Sequence, residues 1–214
     1  MMKKLFVLIL LGWFMCGVMF AQPKNDDKNL WKTAKKIAKN LTADGWKITG
    51  SYTLEEAIYL HRQKIQENPK ENQELLGEVA GATNVKTLNQ AQQWAANNAT
   101  LFYGKSAKSQ LKARSAGKVA AGVEGDASLD NFLDAYERFV STEIGGQLRK
   151  SYILYREKRE GGIDCRIVYI VNEAEASQAR LRAMERARKE AEFAIEDAER
   201  ISEFVREGVK VEAE

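Results

Sequence analysis

Apolar residues recur along this chain at helical spacing in some stretches and in alternation in others, and the changes of period mark out its elements. From about Asn29 to Ala43, Leu30, Trp31, Ala34, Ile37, Ala38 and Leu41 lie three or four apart, with Lys28, Lys32, Lys35, Lys36 and Lys39 on the remaining positions. This spacing predicts an amphipathic helix with a basic face. Asp44 and Gly45 stop it, and Trp46, Ile48 and Ser51 begin a short extended stretch. Thr53 stands three residues before Glu56, the capping-box arrangement in which hydroxyl and carboxylate each take a free backbone N–H. A helix from Leu54 to about Glu67 follows, ended by Asn68 and Pro69. Leu75 to Thr83 reads as a short strand interrupted by Gly77 and Gly81.

The longest helical candidate runs from Val85 to about Val123, with Asn84 as its cap and Leu88, Ala91, Ala95, Ala99, Phe102 and Ser106 as a stripe of mostly small residues suited to close packing on a sheet. Gly117, Gly122 and Gly125 loosen the chain before Ser128 caps another helix. Leu129, Phe132, Leu133, Tyr136, Phe139 and Val140 form its apolar face, and Gly145 and Gly146 close it. Leu148 to Glu157 and Ile163 to Asn172 are rich in Ile, Val and Tyr and flank a glycine-containing turn, which predicts a β-hairpin. In its second arm Ile163, Cys165, Ile167, Tyr169 and Val171 share one face, and Asp164 and Arg166 predict a solvent-exposed turn end on the other. From Glu173 to about Glu207 the pattern is helical, with an alanine stripe and opposite charges four apart. Such a helix would be roughly 50 Å long. Its distal half is expected to project or to meet another chain, with Ile195, Ile201, Phe204 and Val205 as apolar anchors.

The start of the chain has a different character. Lys3 and Lys4 precede an apolar run from Leu5 to Phe20, and Ala21 offers the small residue that a signal peptidase requires. Residues 1–21 therefore read as a signal peptide, cleaved before Gln22. The run is slightly short of the 18 or so apolar residues of a retained anchor, the competing reading. Trp13, Phe14 and Met15 before Cys16 are not the small residues of a lipoprotein signal.

Removing the signal changes the charge balance. The chain has 33 Lys and Arg against 30 Asp and Glu, and loss of Lys3 and Lys4 leaves it close to neutral, unlike a nucleic-acid-binding domain. Cys165 becomes the sole cysteine, so no internal disulfide can form, and its strand neighbours predict a buried thiol. His61 is the one histidine, and no zinc spacing, nucleophile motif or phosphate loop accompanies it. It is expected on a helix surface or partly buried. No catalytic, cofactor-binding or metal-binding residue is assigned, and no cofactor is implied.

Gly45-Trp46-Lys47-Ile48 leading into Leu54-Glu55-Glu56-Ala57, the helix around Ala91 to Ala99, and the hairpin with Tyr155-Arg156 and Cys165 to Val171 resemble uncharacterised exported proteins of Bacteroides-like bacteria, as does the Phe20-Ala21-Gln22 junction. More distantly, the element order over about Val85 to Ala183 is similar to small outer-membrane lipoproteins and to the amino-terminal domain of flagellar T-ring-associated proteins. The signal here lacks a lipobox. Neither resemblance implies a catalytic residue.

These readings combine into an α+β fold, a small, mainly antiparallel sheet covered on one face by long helices, with a long charged C-terminal helix. Its expected divisions are a signal peptide at 1–21, a flexible leader at 22–28, the α+β domain at 29–172 and the terminal helix and tail at 173–214. The expected function is that of a non-catalytic exported envelope protein, periplasmic or outer-membrane associated. Its partner is another envelope protein or itself through the C-terminal helix, not nucleic acid, with peripheral membrane contact through the basic N-terminal helix. The alternative is a hydrolase of a cell-wall or dietary polymer, acting through an unidentified carboxylate site.

Overall fold

The computed structural model describes residues 23–81, 85–119, 127–159, 161–191 and 205. The signal segment with Cys16, the Asn84 cap, Gly122 and Gly125, and the anchors Ile195, Ile201 and Phe204 lie outside the described residues. The fold is α+β. Its elements are α1 (Pro23–Ala43), β1 (Lys47–Ile48), α2 (Leu54–Glu67), β2 (Asn72–Val79), α3 (Leu88–Val119), α4 (Ala127–Ile144), β3 (Leu148–Glu157), β4 (Ile163–Asn172) and α5 (Glu173–Glu190), with a 3-10 turn at Gly145–Gln147.

The four strands lie in the order β1-β3-β4-β2, every pair antiparallel. The hairpin pairs Tyr155 with Cys165 and Ile153 with Ile167, and an irregularity between Lys150 and Tyr152 shifts the register of β3. Leu75, Val79, Cys165, Ile167, Tyr169 and Val171 pack beneath α3, α4 and α5. The opposite face is covered as well: Trp46, Leu154 and Tyr152 meet Ala34 and Ala38 of α1 and Leu54 and Ile58 of α2. The amino-terminal helix pair thus adds a layer to the one-sided arrangement expected from the sequence.

Several boundaries follow the local chemistry. Thr53 Oγ1 accepts from the Glu56 N–H while Glu56 accepts from the Thr53 N–H, completing the capping box of α2. In α3 the buried apolar side chains among the described residues are Ala91, Ala95, Ala99, Tyr103, Ala107 and Leu111, all four apart. Phe102, expected in that stripe, faces solvent, because a row of four-residue steps passes it by. Gly77 lets α3 rest directly on β2, since a Cβ there would collide with the Ala95 carbonyl oxygen and come within 2.9 Å of the Ala99 methyl. The strand containing it occupies 72–79 rather than 75–83.

The leader is not wholly unstructured, because α1 already begins at Pro23, whose fixed φ and missing N–H suit a first helical turn. Ser128 lies inside α4 rather than capping it.

The terminal helix does not run unbroken from 173 to 207. It ends at Glu190, with Ala191 as its C-cap. The Val205 carbonyl accepts from Arg180 Nε at 3.1 Å, whereas residues 180 and 205 of one straight helix would be about 37 Å apart. Its alanine stripe is spent within the domain, with Ala176, Ala179, Ala183 and Ala187 fully buried. α3, at 32 residues, is the longest helix described.

Candidate functional site

Three clusters hold buried polar side chains among the described residues, and each joins separate segments of the chain. The first is on the sheet face beneath α1 and α2. Asp164 of β4 lies opposite Arg156 of β3 and is buried, although alternation predicts an exposed position. Its Oδ2 accepts from Arg156 at 2.8 and 3.3 Å, and its Oδ1 accepts from the Gly81 N–H and from Lys158, both at 3.0 Å. Burial by itself would raise the carboxyl pKa. The bonds from Arg156, Lys158 and Gly81 outweigh that effect and hold it below the usual aspartate value. Arg156 also donates to the Asp44 carbonyl at 3.2 Å. Trp46 accounts for the unexpected cover here: the Arg156 and Arg166 guanidiniums stand 4.8 and 4.3 Å from its ring centre, while Arg166 binds Glu78 at 2.8 Å.

The second cluster surrounds His61 of α2, expected on the helix surface or partly buried and found fully buried. Its Nε2 lies 2.6 Å from Glu74 Oε2 of β2, and its ring meets Tyr152 of β3 edge-on at 5.6 Å. The hydrogen bond from His61 is the largest influence lowering the Glu74 pKa. Burial raises that of Tyr152 far above the usual phenol range. His61 Nδ1 has no hydrogen-bond partner among the described residues.

The third lies on the helical side of the sheet. Arg180 of α5 is 1% exposed and donates to Tyr103 Oη at 2.6 Å, Glu173 Oε1 at 2.5 Å and the Val205 carbonyl. Five donors in a rigid fork suit an arginine to holding three partners at once. The cue in the sequence is an arginine within an alanine stripe, between Ala176 and Ala183. Val205 belongs to the core around this cluster, so of the four expected anchors the one described is not on a free face.

Cys165 is buried, and burial pushes its thiol up to about 11, which makes it a poor nucleophile. Among the described residues no group of three or more His, Cys, Asp and Glu side chains is arranged to hold a metal ion. No described helix is long and apolar enough to cross a membrane.

Large apolar side chains remain in solvent on one face of α3. Trp94, Leu101 and Phe102 are 38%, 49% and 43% exposed, and spacings of seven and eight put all three on one side of the helix. Asn98, one turn from both Trp94 and Phe102, donates to the Glu78 carbonyl at 2.7 Å. The apolar face thereby borders the outer edge of β2, the last strand of the sheet. Sequence periodicity had assigned Phe102 to the core and left Trp94 and Leu101 without a role. No family model, curated protein or solved structure matches this chain.

Proposed function

We propose that this chain is an exported, non-catalytic envelope protein that acts by binding another protein through the solvent face of α3. The carrying observation is the exposed set Trp94, Leu101 and Phe102, half of the six large apolar side chains exposed among the described residues. Solitary exposed apolar residues are ordinary on protein surfaces, whereas several on one face favour a contact. The buried Asp164 supports the non-catalytic reading, because Arg156, Lys158 and Gly81 already engage both of its oxygens. Export rests on the Lys3–Lys4, Leu5–Phe20 and Ala21 pattern.

A photoreactive amino acid at position 101, in cells that make the protein, tests the reading. One discrete adduct is expected from position 101, none from position 185 on α5, and loss of the adduct when Trp94→Ser and Phe102→Ser are added. An adduct of twice the chain's own mass would identify a second copy as the partner. Equal labelling at both positions, or none at 101, overturns the assignment.

A further inference from the structure

We infer that α1 holds the protein against an anionic lipid surface through its lysine face alone, without inserting into the bilayer. The inference rests on the reading of the chain as exported but not on the α3 contact. Lys28, Lys32, Lys35, Lys36 and Lys39 are all exposed. At 100° per residue they fall within an arc of about 100°, and from first to last they span about 17 Å along the axis. None forms an ion pair with a described residue, although Lys35 lies 5.7 Å from the Trp31 ring centre. Asp27 is engaged by the Tyr59 hydroxyl. Like charges three and four apart oppose helix formation, so this sector stabilises α1 only when an outside anion meets it. The basic charge is also local: the other 28 Lys and Arg residues of the chain face 30 Asp and Glu.

The mode of contact follows from the other side of the helix. An interfacial helix normally sinks its apolar face into the lipid. Here Leu30, Ala34 and Ala38 are buried within the fold, the two alanines in the cluster that α1 shares with α2 and Trp46. The charged positions of the outward face are all lysines, and Trp31 at their edge is half-buried and held edge-on against the Tyr59 ring, which makes the contact electrostatic and strongly dependent on salt. Lipid is favoured over a polynucleotide by the apolar run Leu5–Phe20, which is separated from α1 by two residues and delivers that helix first to a membrane surface.

Residues 22–214, which retain every described element, are tested by co-sedimentation with vesicles of phosphatidylcholine alone or with about one-third phosphatidylglycerol. Binding is expected only to the anionic vesicles, and raising the salt from about 0.1 to 0.5 M should abolish it. Each lysine near an anionic leaflet raises partitioning roughly fivefold. Changing Lys28, Lys32, Lys36 and Lys39 to Gln should therefore weaken binding at least tenfold, while the same change at Lys64, Lys70, Lys105 and Lys150 should weaken it less than twofold. Circular dichroism verifies that both variants stay folded. Equal losses in the two variants, salt-resistant binding, equal binding to neutral vesicles, or tighter binding to a short DNA duplex at the same salt would each overturn the inference. Crosslinking at position 101 involves no vesicles, so the two proposals fail independently.

Discussion

The two faces of the sheet are covered by different means. Beneath α3, α4 and α5 the fit is steric: alanines four apart and Gly77 bring helix backbone onto strand, and the chief charge admitted there is Arg180, fully enclosed. Beneath α1 and α2 the fit is partly electrostatic, with two guanidiniums against the Trp46 ring, Asp164 bonded by Arg156, Lys158 and Gly81, and His61 against Glu74. Glu74 beside His61 and Arg156 beside Asp164 reach solvent, whereas Tyr103 and Val205 beside Arg180 are buried; Lys158 and Glu173 are alike, each about one-fifth exposed. Loss of one member should therefore cost far more on the first side, because an enclosed partner cannot be rehydrated.

Arg180→Met probes the extreme of that contrast. Removing one member of a buried charge pair typically costs about 3–5 kcal/mol. Here it strands the Tyr103 hydroxyl, the Val205 carbonyl and one oxygen of the Glu173 carboxylate. Urea denaturation should show a loss of that size, and adding Glu173→Gln and Tyr103→Phe should restore much of it by removing the stranded groups. A loss below about 1 kcal/mol would mean that water reaches the site and that the two faces do not differ.

Asp164→Asn should cost less, about 2 kcal/mol, the scale of hydrogen bonds to a charged group, because Arg156 and the Gly81 N–H can turn to solvent. Its sharper signature is in acid. The folded-state pKa of Asp164 lies below the ordinary value of 3.8, so its contribution is complete above that value and is lost as pH falls through the folded pKa. Stability measured from neutral pH downward should therefore fall less in Asp164→Asn than in the wild type. Parallel curves would show that the Asp164 carboxylate does not contribute to the acid sensitivity of the fold.

The same contrast explains what the sequence made legible. The hairpin limits, the capping box at Thr53 and the apolar faces of α1 and α4 follow from periodicity and local chemistry, and they agree with the structure. Asp164 and Arg180 were concealed because alternation and charge density assign such residues to solvent, whereas their burial depends on partners far along the chain, Gly81 and Tyr103 among them. The α5 alanine stripe was visible, but periodicity does not distinguish a stripe covered by its own domain from one awaiting another chain. The α3 surface was missed for a related reason. A four-residue period and a mixed three-and-four period diverge within two turns, enough to exchange Phe102 for Tyr103 in the core.

His61→Leu is the mildest test of the contrast. The substitution removes the bond to Glu74, whose side chain is half exposed and can bind water instead. It also removes the unpartnered Nδ1, a buried polar atom whose desolvation opposes folding. Leucine is slightly different in shape and loses the edge-on contact with Tyr152, so repacking adds a small cost. These contributions oppose one another, and stability at neutral pH should stay within about 1 kcal/mol of the wild type in urea denaturation. The acid limb should change too, because the Glu74 pKa is lowered chiefly by His61: without that bond, less stability remains to be lost as pH falls through the glutamate range. A loss above about 2 kcal/mol at neutral pH would place His61 with Arg180, as a sealed group whose partners have no recourse to solvent, and would remove the distinction between the two faces.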